Sequence, residues 1–226
     1  MPKLTTRYAA RMRQIISIFF NFALFILFEK NSCKIKISNG PSGNAVYKYL
    51  RQRKYGVRVA TAARILFLPG SPGDLLKGRK HQAWRTNNKR AEAYGMRVRK
   101  VSVEEFIALA DSASRSDAPP AHLYELIKEP VTSYMETWVG ETADGDAIAF
   151  ARYAVDAQCA VMKYFVATPS RDLSIIRWKL AAETFSDFTK RGIRYVISGS
   201  AINLSGGIDY YQDRLGFVRT KIEITA

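Results

Sequence analysis

GGIDYYQDRLGFVRTKIEI (Gly206–Ile224) reads as a tyrosine-bearing helical stretch, a Leu-Gly-Phe step and a strand-like tail. Upstream, IRYVISG (Ile193–Gly199) is a β-branched strand, and Gly192 closes the helix before it. That helix covers about Leu173 to Arg191, with Ile176, Leu180, Trp178, Ala181, Phe185 and Phe188 recurring at three- and four-residue spacing. CAVMKYFVAT (Cys159–Thr168) is a long apolar run and is expected to be a central strand. SYMETWVG (Ser133–Gly140) and AIAFARYAV (Ala147–Val155) flank an Asp144-Gly145 turn and form a hairpin. From Ser133 onward the order is therefore strand, strand, strand, helix, strand, helix, strand.

The first half is less regular. SNGPSGN (Ser38–Asn44) reads as a turn-rich linker, and VYKYLRQRKYG (Val46–Gly56) as a short basic helix. VRVATAARILFL (Val57–Leu68) is strand-like, and PGSPGD breaks the chain before a long basic helix, Leu75 to Gly95. MRVRKV (Met96–Val101) alternates like a strand. Ser102 with Glu105 is a capping-box signature for the next helix. A loop, Ser112–Pro120, then leads to a short helix, HLYELIKE (His122–Glu129).

Charge divides the 226-residue chain. Residues 1–100 carry 22 Lys/Arg against 3 Asp/Glu, whereas residues 101–226 carry 13 against 17. A basic half suits an anionic partner such as nucleic acid, a phosphate-rich cofactor or an acidic membrane surface; plain solubility is the alternative. Arg85 and Lys89 share one face of the basic helix, with Arg79 and Arg90 towards other faces; these four are the candidate anion- or nucleic-acid-binding residues. Trp84 reads as a core residue rather than a base-stacking one. Cys33, Cys159, His81 and His122 are the only residues of their kinds, and no pair has metal-ligand spacing, so no metal site is expected.

IISIFFNFALFILF (Ile15–Phe28) is apolar, with basic residues on both sides. At 14 residues it is short for a membrane span. The composition shift after it divides the chain into an N-terminal extension and linker, 1–45, and a domain, 46–226. A cytoplasmic protein is expected, with Ile15–Phe28 read as a membrane contact, a helix packed on the domain or an extension outside the functional unit.

The order from Ser133, with the quoted end segment, resembles the GNAT superfamily of acyl-CoA N-acyltransferases. The resemblance implies an α/β (α+β) fold: a mixed, mostly antiparallel sheet flanked by helices. It implies an acyl-CoA donor, acetyl-CoA above all, a primary amine acceptor and direct attack within a ternary complex. In that family the cofactor lies where the central strand splays from its neighbour and the next helix begins. Here that place is VATPSRDLSII (Val166–Ile176), so Val166, Thr168, Ser170, Arg171 and Ser174 are the cofactor-binding candidates, with Asn203 after the following strand. Tyr210 and Tyr211 are the catalytic candidates, as acids towards the leaving group. The sequence departs from the family at the phosphate loop, where Ser174 and Ile176 stand in the two glycine places. It departs again at the family's tyrosine place, four residues before the glycine of Leu-Gly-Phe, which is Gln212.

The basic helix and following strand (Leu75–Val98) are similar to a motif of Fem-type peptidyltransferases, which use aminoacyl-tRNA and lack the strict glycine loop. That resemblance implies a tRNA partner through residues 46–100. A catalytically inactive fold that binds nucleic acid or membrane is the third reading.

Overall fold

The computed structural model describes residues 32–50, 53–54, 57–58, 63–116, 119–120, 135–170, 172–200 and 206–225. Ile15–Phe28, the helix at His122–Glu129, Arg171 and Asn203 lie outside them. In chain order the elements are β1 (Ser32–Lys36), α1 (Pro41–Leu50), the short strands β2 (Arg53–Lys54) and β3 (Val57–Arg58), and β4 (Ala63–Phe67). Then come α2 (Gln82–Ala93), β5 (Arg97–Val101), α3 (Val103–Ser114), β6 (Met135–Glu141), β7 (Ala147–Asp156) and β8 (Cys159–Ala167). The chain continues with α4 (Ile176–Lys190), β9 (Tyr195–Ser200), α5 (Gly206–Leu215) and β10 (Val218–Thr225).

Among the described residues, eight strands form one sheet in the order β1-β10-β4-β9-β8-β7-β6-β5. Only β8/β9 and β1/β10 are parallel. Helices cover both faces. Trp84 of α2, Leu180 and Phe185 of α4 and Leu215 of α5 pack on one face with Trp138, Ala151 and Tyr153 of the sheet. Val46 and Leu50 of α1 pack on the other with Ile65, Val161 and Ile197, and Phe106 and Ala110 of α3 join that face against Val139 and Phe150. The fold is thus the mixed, mostly antiparallel α/β architecture that the element order implied.

Three helices end in the same way. Gly95, Gly192 and Gly216 have φ of 68°, 77° and 96°. Behind them Met96, Ile193 and Phe217 donate their N–H to Ala91, Phe188 and Gln212, each at about 3.0 Å, which is the Schellman arrangement of a helix stop. Leu-Gly-Phe is therefore a hinge between α5 and β10, with Leu215 and Phe217 buried on either side of the glycine. Ser102 accepts from the Glu105 N–H at 3.2 Å, half of the expected capping box.

The first half departs from its expected elements. The stretch read as a linker opens α1: Pro41 takes the first helical position, where a missing N–H costs nothing. β1 also falls within the stretch read as an extension, yet it pairs with β10 and buries Cys33 and Ile35. The long basic helix is shorter than its charge pattern implied. The helix proper starts only at Gln82; a 3-10 turn at Arg79–His81, preceded by Gly78 at φ 90°, replaces its beginning, and another lies before it at Pro72–Asp74. The expected membrane association needs correction too: among the described residues no helix is long and apolar enough to cross a membrane.

Asp156, at the end of β7, fixes α1 to the sheet. Its carboxylate accepts from the Ser38 N–H (2.8 Å), the Ser38 hydroxyl and the Ser42 hydroxyl (2.8 Å). Burial acts to raise its pKa, but the three hydrogen bonds outweigh burial and hold it below the ordinary carboxylate value. Glu136 behaves alike, with burial opposed and overcome by Arg191 and Lys100. A carboxyl whose folded pKa is lowered stabilises fully above its unfolded value, and that stabilisation disappears as pH falls through the folded one. Urea midpoints should hold down to about pH 5 and fall steeply below about pH 4, and Asp156→Asn should flatten that fall. An unchanged profile in Asp156→Asn would refute the assignment.

Candidate active site

β8 and β9 are hydrogen-bonded neighbours at three positions only: Cys159↔Tyr195, Ala160↔Val196 and Val161↔Ile197. Beyond them β8 remains bonded to β7 as far as Ala167, and β9 turns to β4 as far as Ser200. A slot therefore opens between the two parallel strands towards their C-terminal ends. Every residue from Met162 to Ala167 is half-buried, although the strand is central.

The cause lies in the β7/β8 register. Tyr153 pairs with Met162 but Arg152 pairs with Tyr164, so Lys163 is an extra residue, a β-bulge. A bulge bends its strand and increases the local twist, which swings the rest of β8 away from β9. It also shifts the side-chain alternation by one. Met162 and Phe165 both pack on the α4 face, whereas Val161, Tyr164 and Val166 lie on the opposite face.

The register decides which backbone groups face the slot. The Thr168 N–H donates to the Ile148 carbonyl of the β7 side at 2.8 Å. By strand alternation Val166 and Tyr164 also turn their N–H and C=O towards β7, while Phe165 and Ala167 turn theirs into the slot, where, among the described residues, no strand pairs with them. Of the cofactor-binding candidates, Thr168 therefore spends its N–H on the sheet and Val166 pairs with Phe150, whereas Phe165 and Ala167 face the slot.

At the far end of the slot, α4 begins with a 3-10 turn, Leu173–Ile175. Ser174 donates its N–H to the Ser170 carbonyl (2.9 Å), and its own carbonyl accepts from Arg177 Nε (3.3 Å). Ser170 and Ser174 are both half-buried and adjoin each other at this end. Ile176, in the second glycine place of the family's loop, is fully buried. It packs over Gly140 of β6, where a Cβ would lie 2.7 Å from Ile176 Cγ1. Its side chain therefore points into the core.

The two tyrosines have different surroundings. Tyr211 packs against Phe165 (ring centroids 5.9 Å apart) and Trp178 (4.8 Å), and its hydroxyl donates to the Arg177 carbonyl at 2.9 Å. Burial pushes its pKa well above that of an ordinary tyrosine, partly offset by Arg177. Tyr210 lies on the outer face of α5, 58% exposed, beneath the Arg214 guanidinium at 5.0 Å. Gln212 is buried and donates to the Ser198 hydroxyl of β9, tying α5 to the other wall of the slot.

The basic candidates do not form one site. Arg85 donates to the Leu76 and Gly78 carbonyls and braces the loop before α2. Lys89 and Arg90 are exposed on α2. Trp84 is fully buried, its indole N–H donating to the Trp178 carbonyl at 2.8 Å. Arg79 instead joins Lys80, Gln82, Ala83, Thr86, Asn87 and Arg214 around a cleft of about 790 Å³. Lys80 and Arg214 were not anticipated, because Arg214 comes from the other end of the sequence. Among the described residues no group of three or more His, Cys, Asp or Glu is placed to hold a metal ion.

No protein-family model and no curated protein matches the chain. Among solved structures it is similar to FemX, with a TM-score of 0.55 and 9% identity, over 71% of this chain and 60% of that one. It is also similar to the L-PGS of Bacillus licheniformis (TM-score 0.49, 13% identity, 70% of this chain and 57% of that one). A GCN5-related N-acetyltransferase from Kribbella flavida gives 0.41 at 16% identity, over 70% and 53%. The chain thus spans three-fifths or less of the length of these structures. At these identities the likeness is one of fold alone, and it is a fold shared with FemX.

Proposed function

We propose that the chain transfers an acyl group from acyl-CoA, acetyl-CoA above all, to a primary amine by direct attack in a ternary complex. The observation that carries this reading is the slot, into which the backbones of Phe165 and Ala167 project unpaired. Their C=O and N–H groups suit the amides of a pantetheine arm, and an N–H directed at a thioester carbonyl stabilises the oxyanion as the amine adds. Collapse of the tetrahedral intermediate breaks the C–S bond; the thiolate takes a proton from Tyr211 or from water, and the proton shed by the amine nitrogen as the amide forms returns to that donor. Tyr211 borders the slot through Phe165, whereas Tyr210 faces outward. Ser170, Arg171, Ser174 and Asn203 remain the proposed contacts for the rest of the donor.

The missing loop glycines favour a second reading, an aminoacyl-tRNA donor. Calorimetric titration of the chain with acetyl-CoA, longer acyl-CoAs, free CoA and charged tRNA separates the two. Saturable acyl-CoA binding is expected. Binding of tRNA alone would replace the first reading with the second, and no binding of either would sink both. Tyr211→Phe should cost about 1–2 kcal/mol of stability through the lost hydrogen bond. If Tyr211 supplies the proton, that variant also lowers turnover by about 10²-fold or more; unchanged turnover assigns the proton to water.

A further inference from the structure

We propose that the basic cleft between the start of α2 and the end of α5 binds a compact oligophosphate anion, at a site separate from the slot. Arg79 and Lys80 enter it from the 3-10 turn before α2, and Arg214 from the last turn of α5. No carboxylate lines it. The acids nearby in sequence have other partners: Asp213 is paired with Arg64, Asp74 with Lys77 at 2.6 Å, and Glu92 with Lys179 at 3.6 Å. Among the described residues no ion pair engages the three cleft cations. An anion bearing several charges would supply their counter-charge, and guanidinium groups match phosphate oxygens in pairs.

Size and chemistry favour a small ligand. A cleft of about 790 Å³ falls within the range of small-molecule sites. Gln82 and Thr86 add neutral hydrogen-bonding groups, while the Asn87 amide nitrogen is already used on the Ala83 carbonyl at 3.0 Å.

The cleft lies at the closed end of the β8/β9 pair. After Arg214, Gly216 turns the chain into β10, whose Val218 pairs with Ile65 opposite Ile197. The slot opens from Ile197 in the other direction, towards Ser200. Between Lys80 and Gln82, the His81 ring packs on Gly216, where a Cβ would lie 2.9 Å from Cε1, and so holds the two halves of the cleft together.

The test is calorimetry of the full chain with pyrophosphate, tripolyphosphate and ADP at two salt concentrations. One-to-one binding is expected, weaker at higher salt. Arg79→Ala and Arg214→Ala should each weaken it about tenfold, equivalent to about 1.4 kcal/mol. Lys80→Glu should abolish it, and Lys48→Ala, on α1 across the sheet, should leave it unchanged. Circular dichroism verifies that each variant folds. The proposal fails if none of the three anions binds, or if a long RNA binds and they do not. Equal losses in Lys48→Ala and the cleft variants would also overturn it. Acetyl-CoA affinity measured on the same variants keeps the slot reading separate: it should be unchanged, and a loss there would merge the two sites.

Discussion

Ala167→Pro should lower acyl transfer by about 10²–10³-fold, the usual cost of losing one oxyanion donor, while the thermal midpoint stays near that of the parent. Proline removes one N–H. At position 167 that N–H faces the slot and holds no ladder bond, so the strand edge there tolerates proline as an outer strand does. Val166→Pro is the contrasting case. The neighbouring N–H faces Phe150 across the β7 ladder, and its loss should cost about 3 kcal/mol or more and damage the fold. Activity against acetyl-CoA and thermal denaturation of both variants check the pair. Full turnover in Ala167→Pro would remove the slot backbone from the mechanism; equal unfolding by both would show that the strands are not divergent at this position.

Gly43→Ala should destabilise the protein by about 3 kcal/mol, at the upper end for overpacking. A Cβ at Gly43 would sit 1.9 Å from the Ser38 carbonyl oxygen and 2.9 Å from its carbon. Both are backbone atoms, so no rotamer change relieves the clash. The chain would have to move Ser38, and with it the hydrogen bonds to Asp156 that anchor α1. Gly40→Ala provides the control, since its nearest neighbour would be the Ser38 hydroxyl at 3.9 Å. Urea unfolding should separate the two substitutions clearly; similar midpoints would refute the close approach.

The second half of the fold was legible because its signals are local. Apolar spacing along α4, the Asp144-Gly145 turn and the glycine at 192 each act within a few residues. The first half was harder to read, because β1 and β4 are short strands whose partners lie far along the chain. The slot was half legible. The family resemblance implied a gap after the central strand, but which backbone groups face it depends on the bulge at Lys163, which nothing in YFVAT announces. The basic patch failed for a similar reason: charge density pointed to α2, yet Arg85 is spent on loop carbonyls and Arg214 completes the cleft from α5.

β4 lies between β9 and β10, so a strand of the first half is sealed on both edges by partners 128 or more residues downstream. Pairings of such sequence separation close slowly, because the loop entropy is lost before contacts repay it. During vectorial synthesis Ala63–Phe67 must therefore wait, with both edges open, until the downstream strands emerge, a period in which chaperones or neighbouring nascent chains have access to it.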